Sequence, residues 1–503
     1  MSAMTLPANL DQLSADELRR LLVEQDRELN WRKVKIDKLT HEVAYYKRHY
    51  FGVKAERLPV EQGQLFEETL AADMAAMTEE LAQLSETKPK GQAKRKPLPP
   101  ELPRTEIHHE PESTTCACGC QMKRIGEDIA EKLDYTPGTF TVERHIRGKW
   151  ACKQCETLVQ APVPAHVIDK GIPTTGLLAH VLIAKYLDHL PLYRQEGIFG
   201  RAGLPIPQST LAEWVGQMGV TLQPLVDALK VEMLTYPVLH ADETPVAMLD
   251  PGAGKTHRAY LWSYSIGAFE PIKAVIYDFT DSRAGKHARE FLGDWRGTLV
   301  CDDYSGYKAL IADGVTEAGC MAHARRKFFD LHANNQSQIA QQALTTIQSL
   351  YQVEREVADL EPDERRRIRQ EQAKPILEEF HDWLTRYRLQ VPNGSSTAKA
   401  IDYSLKRWTA LAHYIDDGQV PIDNNWIENR IRPIATGRKN WLFAGSLRAG
   451  KRAAAIMSLI QSAKLNGHDP FTYLKDILSR LPTQPNSRIS ELLPHRWLPN
   501  TSP

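Results

Sequence analysis

Apolar side chains recur every seven residues near the start of the chain. Leu22, Leu29, Ile36, Val43 and Tyr50 form one track, with Leu18, Leu39, Tyr46 and Val53 beside it. The repeat predicts one long helix over 10–57, opened by a capping box in which Ser14 and Glu17 satisfy amides of the first turn. Gln25 and Arg32 interrupt the second track, so two readings stand: a self-associating coiled coil, or an amphipathic helix packed on its own chain. Residues 85–105 lose the periodicity and are rich in Pro and Lys, which predicts a basic linker carrying Lys88, Lys90, Lys94, Arg95 and Lys96. Over 106–168, alternating β-branched and aromatic residues predict short strands. Over 171–230 the pattern predicts three helices, broken at Pro191–Tyr193 and again near Gly203, the third capped by Ser209. Two short helices and a tight turn suit a helix-turn-helix, and an ordinary helical hairpin is the alternative.

From 238 the period changes. VLHADETPVAM, AYLWSYSIG, IKAVIYDF and GTLVCDDYSGY read as strands, with a helix, AGKHAREFLGDW, between the third and fourth. This order predicts an α/β core over 235–450 whose first three strands pair antiparallel and whose fourth runs parallel to the first. Helical periodicity then returns, predicting an α-helical insertion at about 325–415, and a helical tail covers 451–503. The class is multidomain α+β.

Composition adjusts this picture. The chain has 503 residues, 42% of them hydrophobic, and seven cysteines, which excludes a disordered chain or a small disulfide-stapled domain. No signal peptide or membrane-length apolar run is read, so a cytoplasmic protein with reduced cysteines is expected. Sixty-three basic residues balance 63 acidic ones, and that zero net charge argues against nucleic acid only if charge is evenly spread. It is not: window 424–452 holds seven Lys/Arg, namely Arg430, Arg432, Arg438, Lys439, Arg448, Lys451 and Arg452, against one acid.

Five of the cysteines, Cys116, Cys118, Cys120, Cys152 and Cys155, fall within forty residues. Close thiolates from two turns are what tetrahedral zinc requires, so four of these five are candidate Zn²⁺ ligands of a small zinc-binding β module, with His108, His109 and His145 as possible substitutes. Asp242 and Asp302 follow apolar strands, and Glu428 follows the capping residues Asp423 and Asn424 at a helix start. If the first and fourth strands are neighbours, the two aspartates emerge side by side. Adjacent carboxylates need a raised pKa or a bound cation, and phosphodiester chemistry uses such acids to hold hard divalent metals.

Four motifs, HADETPV, CDDYSGY, GCMAHARRKFF and DNNWIENRIRP, resemble in order and context the transposases of the insertion-sequence 66 family. The resemblance extends to FGVKAERL, to the cysteine segment and to the tail AGKRAAAIMSLIQSAKLNGHDPFTYLKDIL. It implies a bacterial DD-E DNA transposase with a ribonuclease-H-like catalytic core. Asp242, Asp302 and Glu428 would be the acids, holding Mg²⁺ (or Mn²⁺) for cleavage of element ends and attack of the released 3′-hydroxyl on target DNA. Glu243 and Asp303 adjoin the aspartates, and strand alternation aims each neighbour at the opposite face. Cys320 and His323 resemble a Cys/His signature that follows the second Asp in related transposases, which makes them active-site neighbours; a structural turn, or a phosphate contact with Arg325 and Arg326, is the alternative. Arg430, Arg432, Arg438 and Lys439 are further DNA-binding candidates. The first cysteine group departs from the family's usual C-x-x-C. Implied partners are the terminal inverted repeats, target DNA, a second protomer and accessory proteins of the same element, in a nucleoid-associated setting. A non-catalytic DNA-binding regulator and a nuclease without joining activity are the competing functions.

Overall fold

Ser14 and Glu17 form the reciprocal cap of the first helix: Ser14 Oγ accepts from the Glu17 amide at 3.4 Å, and the Glu17 carboxylate accepts from the Ser14 amide at 2.8 Å. The computed structural model describes residues 14–52, 60–84, 98–250 and 255–499, apart from Glu112, Cys116, Cys118, Pro137, Asp169, Lys170 and Gln336. Helix α1 (Ala15–Gly52) packs against α2 (Val60–Leu84), a helix that the heptad reading does not include. Leu39 is buried, and Lys35 reaches Glu80 at 4.0 Å. Leu22 and Leu29 remain 65% and 54% exposed, so α2 does not cover that part of the seam. Val53, the side chains of Tyr46 and Tyr50, and the basic cluster of the linker lie outside the described residues.

The chain divides into two units, one formed by Met1–Leu225 with Asp469–Leu492 and Arg496–Pro503, the other by Val226–His468 with Leu493–His495. In the first unit a mixed four-stranded sheet is built on β1 (Arg104–His109), β2 (Lys123–Thr136), β3 (Thr139–Ala151) and β4 (Leu158–Gln160). The expected short strands are instead one long hairpin, β2–β3, with β1 parallel to β3. Its core is Leu133, Phe140, Val142 and Ile146, supplied by alternate positions of both strands. Three helices follow, α3 (Thr175–Tyr186), α4 (Leu192–Arg201) and α5 (Gln208–Met233). Thr174 caps α3 by accepting the Leu177 amide at 3.2 Å. Helix α5 starts at Gln208, one residue ahead of the expected cap, so Ser209 sits inside its first turn.

The second unit carries a mixed five-stranded sheet in the order β7-β6-β5-β8-β9. Strands β5 (Val238–Asp250), β6 (Lys255–Ile266) and β7 (Val275–Thr280) pair antiparallel, and α6 (Lys286–Leu292) leads to β8 (Thr298–Cys301), which lies parallel to β5. This is the strand order read from the sequence. After α7 (Lys308–Ala312) comes a strand that reading lacked, β9 (Thr316–Gly319). Its four residues, Thr-Glu-Ala-Gly, carry little β preference, and pairing with β8 supplies what propensity does not.

Between β9 and the last part of the core run α8 (Met321–Asn335), α9 (Gln338–Glu356), α10 (Pro362–Ile368), a π turn (Arg369–Ala373), α11 (Lys374–Arg388), α12 (Ser396–Lys406) and α13 (Trp408–Ala412). They share one apolar core, in which Phe328, Ile347, Leu350, Leu377, Phe380 and Leu384 are buried. Inside it the fully buried Arg369 pairs with Glu354 at 2.6 Å and donates to the carbonyls of Tyr414 (2.8 Å), Asp417 (3.0 Å) and Val420 (2.9 Å). A buried charge needs this degree of satisfaction, and the arrangement fixes the segment that leads into α14 (Asn425–Trp441).

Helix α15 (Leu447–Leu465) covers the edge strand β7. Ser462 and Ser458 accept the outward Val275 and Tyr277 amides at 3.0 and 2.8 Å, so the edge presents fewer open donors to another chain. The last helix is α16 (Pro470–Arg480), capped by Asp469. Among the described residues, no helix is long and apolar enough to cross a membrane.

Candidate active site

Parallel pairing of β5 with β8 sets His240 opposite Val300, and two residues further along each strand the chain reaches Asp242 and Asp302. Each carboxylate is oriented by a nearby backbone amide: Glu243 N–H donates to Asp242 Oδ1 at 2.8 Å, and Tyr304 N–H donates to Asp302 Oδ1 at 2.9 Å. Glu428 comes from the first turn of α14, which packs against β5. Burial holds the Asp242 carboxyl well above the usual carboxylate range, and the charges of Glu243, Asp302 and Glu428 push it further up. Asp242 thus feels the charge of both other acids singled out in the sequence, Asp302 and Glu428.

Their sequence neighbours have other partners. Glu243 is bound by Arg283 at 2.7 Å and by the Tyr307 hydroxyl at 3.0 Å; burial raises its carboxyl and those two donors lower it. The Arg283 guanidinium also stacks over the Tyr304 ring, 3.9 Å from its centroid. Asp303 pairs with Arg407 at 2.6 Å, and Arg407 reaches Glu317 at 2.9 Å.

Asn424 does work that local reading does not reveal. The sequence makes it a cap for α14, yet its side chain makes no cap hydrogen bond. Asp423 accepts the Asn425 amide at 3.0 Å instead, and also the Tyr351 hydroxyl at 2.7 Å. Asn424 is 1% exposed and turns back to β5, with Nδ2 donating to the Ala241 carbonyl at 2.9 Å and Oδ1 lying 2.7 Å from His240 Nδ1. A carbonyl can only accept, so Asn424 Oδ1 must accept as well, and His240 Nδ1 carries the proton. Burial depresses His240 to about 4, which keeps the ring neutral. His240 shares a strand face with Asp242 by alternation, so this latch fixes the start of α14, and with it Glu428, against the strand that carries Asp242. Both residues stand inside the motifs HADETPV and DNNWIENRIRP, and that position was the available signal.

Cys320 is buried at the start of α8 and accepts the Asn424 amide at 3.2 Å through Sγ; burial pushes its thiol up to about 12. His323, on the same helix, lies with Nδ1 3.7 Å from Glu428 Oε1. The other candidates divide into two groups. Arg325, Arg326, Arg432 and Lys439 are exposed. Arg430 stacks on Trp426 at 4.0 Å, and Arg438 donates to the Pro245 carbonyl at 2.6 Å, so both serve packing around β5 and α14.

In the cysteine module, Cys152 to Thr157 forms a tight turn: the Cys152 amide donates to the Thr157 carbonyl and the Glu156 amide to the Cys152 carbonyl, both at 3.0 Å. Glu156 holds φ 56° there, and Gly119 holds φ 83° in the opposite turn. Cys120 packs against Cys152 beside Met122, Trp150 and Val159, and Cys155 is exposed. Each of the two sharp turns thus brings one sulfur, Cys120 and Cys152, into the same small cluster, as a zinc clip requires of its two halves, while Cys155 Sγ lies 3.1 Å from Thr157 Oγ1. Cys116 and Cys118 lie outside the described residues. His109 and His145 bond to each other at 3.0 Å, and His108 pairs with Glu106 at 3.5 Å.

Family models match four stretches of the chain. The model described as the transposase IS66 family covers residues 170–452, and that of the IS66 C-terminal element covers 458–495. The zinc-finger binding domain of transposase IS66 covers 113–156, all five clustered cysteines included, which supports a structural zinc. A model described as transposase C of IS166 homeodomain covers 38–107. Three uncharacterized proteins of Sinorhizobium fredii are similar over most of their length. The protein y4hP is 34% identical over 92% of this chain and 88% of its own. For y4qI the figures are 36%, 93% and 90%, and for y4jD 36%, 80% and 81%.

Proposed function

The chain belongs to the IS66 transposase family, and from that premise we propose that it is a DNA transposase in which Asp242, Asp302 and Glu428 act together on phosphodiester bonds at the ends of its own element. One observation carries this reading: the Asp242 carboxyl is raised by burial, by its neighbour Glu243 and, in addition, by the charges of Asp302 and Glu428, so that acids from three separate segments act on one another's surroundings there. Nothing in folding calls for gathering like charges, so their proximity supports a cation-binding role. Sheet order supports the same reading, since three antiparallel strands followed by two parallel to the first is the ribonuclease-H-like arrangement.

The donor chemistry suits a hard divalent cation, because all three groups are carboxylates and Glu428 Oε1 is buried with no hydrogen-bond partner; the donors already within 4.8 Å of Glu428 are those of Cys320 and His323, so the two aspartates and Glu428 would have to draw together around the ion. Bound Mg²⁺ (or Mn²⁺) would supply Lewis-acid stabilisation of the attacking and leaving oxygens. The protein's own part is positional. The amides of Glu243 and Tyr304 fix the planes of Asp242 and Asp302, and Asn424 holds the helix start that presents Glu428. Exposed Arg325, Arg326, Arg432 and Lys439 lie on the helices that carry His323 and Glu428, where DNA phosphates would pass. The cysteine module and helices α3–α5 would hold the terminal repeats. The open Leu22/Leu29 seam of α1 would pair two protomers, so that two ends react together.

The test uses purified protein, a labelled element end and Mg²⁺. Asp242→Asn, Asp302→Asn and Glu428→Gln should each abolish cleavage and joining while end binding persists. Cleavage without joining of the labelled 3′ end would make the protein a nuclease. Binding without cleavage by the unaltered chain would make it a regulator.

A further inference from the structure

We propose that Cys320, His323 and Glu428 form a second metal site, selective for a borderline divalent cation such as Zn²⁺ over Mg²⁺, and that its occupancy withdraws Glu428 from the acidic trio. The thiol sulfur, a ring nitrogen and a carboxylate oxygen of these residues lie within 4.8 Å of one another. His323 Nδ1 and Glu428 Oε1 are 3.7 Å apart. That is too long for a hydrogen bond, and it is near the spacing of roughly 3.3–3.7 Å between two ligands of a tetrahedral ion with bonds of about 2 Å. Both atoms are buried and have no hydrogen-bond partner, as expected of ligands poised for an ion.

Burial keeps the Cys320 thiol protonated until a cation arrives, and two features offset part of that burial for the metal-bound thiolate. Cys320 immediately precedes α8, a 15-residue helix whose N-terminus favours negative charge, and its Sγ already accepts the Asn424 amide at 3.2 Å. Cation binding displaces the thiol proton to solvent and replaces the S–H bond with a metal–sulfur bond. A sulfur, nitrogen and oxygen donor set disfavours Mg²⁺ and suits Zn²⁺, and three protein ligands leave a fourth position for water or a phosphate oxygen. The site belongs to the unit Val226–His468, whereas the cysteine module belongs to the other unit.

Binding at this site does not depend on the proposed transposase activity; only the competition for Glu428 rests on that reading. The test titrates full-length reduced protein with Zn²⁺ alone against a chromophoric chelator. Wild type should take up two equivalents. Cys320→Ser and His323→Ala should each take up one, the equivalent held by the cysteine module. Cys320 is buried, so His323→Ala, at a half-buried position, guards against a variant that fails to fold. Equal uptake by wild type and both variants would overturn the site. In cleavage assays with Mg²⁺, the second Zn²⁺ equivalent should inhibit wild type, and the His323→Ala variant should need at least about tenfold more Zn²⁺ for the same fractional inhibition. Uptake of two equivalents without inhibition would refute the withdrawal of Glu428 alone. Absence of any cleavage would refute the transposase reading and leave the uptake result standing.

Discussion

Replacing Asn424 with Ala removes two hydrogen bonds at once, the 2.9 Å bond to the Ala241 carbonyl and the 2.7 Å bond with His240 Nδ1. Both partners are buried, with His240 and Ala241 each 0% exposed, so each is left unsatisfied. An orphaned buried polar group costs about 1–3 kcal/mol, and a water entering the vacated amide space would recover part of that, so the net loss should be roughly 2–4 kcal/mol. For a unit of this size, 1 kcal/mol lowers Tm by about 2–4 °C, which gives a fall of roughly 4–16 °C by calorimetry. Activity should fall further than stability accounts for. Glu428 sits one turn beyond Asn424, and a displacement of about 1 Å in a catalytic group costs on the order of 100-fold. Cleavage of a labelled element end, measured well below Tm, is the assay. If Asn424→Ala melted within about 1 °C of wild type, or cleaved as fast while melting lower, then Asn424 would not be what positions Glu428.

Three other outcomes are expected. A Cβ at Gly450 would enter the space of the Phe279 ring, where α15 crosses β7, so Gly450→Ala should cost about 1–3 kcal/mol through overpacking; an unchanged denaturation midpoint would contradict this packing. Asp242 is raised in the folded state, so its contribution to stability is present at low pH and is lost as pH climbs through the raised value. Mg²⁺ neutralises the repulsion that then appears, so its stabilising effect on Tm should be larger at about pH 8 than at about pH 5.5, and equal shifts at both would count against the trio as its site. Cys155→Ser should open the β2–β3 module to protease near residues 113–156 and leave the melting of Val226–His468 unchanged; a module that stays resistant in this variant would not depend on metal held by Cys155.

Much of the architecture is written locally. The 3.6-residue and two-residue periods distinguish helices from strands, and the order of the strands around AGKHAREFLGDW already implies that β8 joins β5 in parallel. Ser14 and Glu17 state their own cap. Two turns with close cysteines imply a metal clip, because a fold that small needs one. What escaped is equally instructive. The strand β9 is too short and too weak in propensity to be read without β8 beside it. Helix α2 lies in a stretch that the heptad pattern does not enter. Arg430 and Arg438 count as DNA-facing charges in a linear tally, yet one stacks on Trp426 and the other ties α14 to β5.

The sequence by itself determined most of the helices and strands, though not α2 or β9, together with the acids that stand at their ends and the family to which the motifs belong. Tertiary structure alone decided that Asn424 ties α14 to a strand 184 residues away in sequence, that Cys320 receives an amide 104 residues distant, and that His323 comes to face Glu428. The division has a physical cause. Periodicity reports how each residue meets its near neighbours, whereas these pairings come from packing separate segments into one core, where every buried polar atom must find whatever partner the fold brings to it.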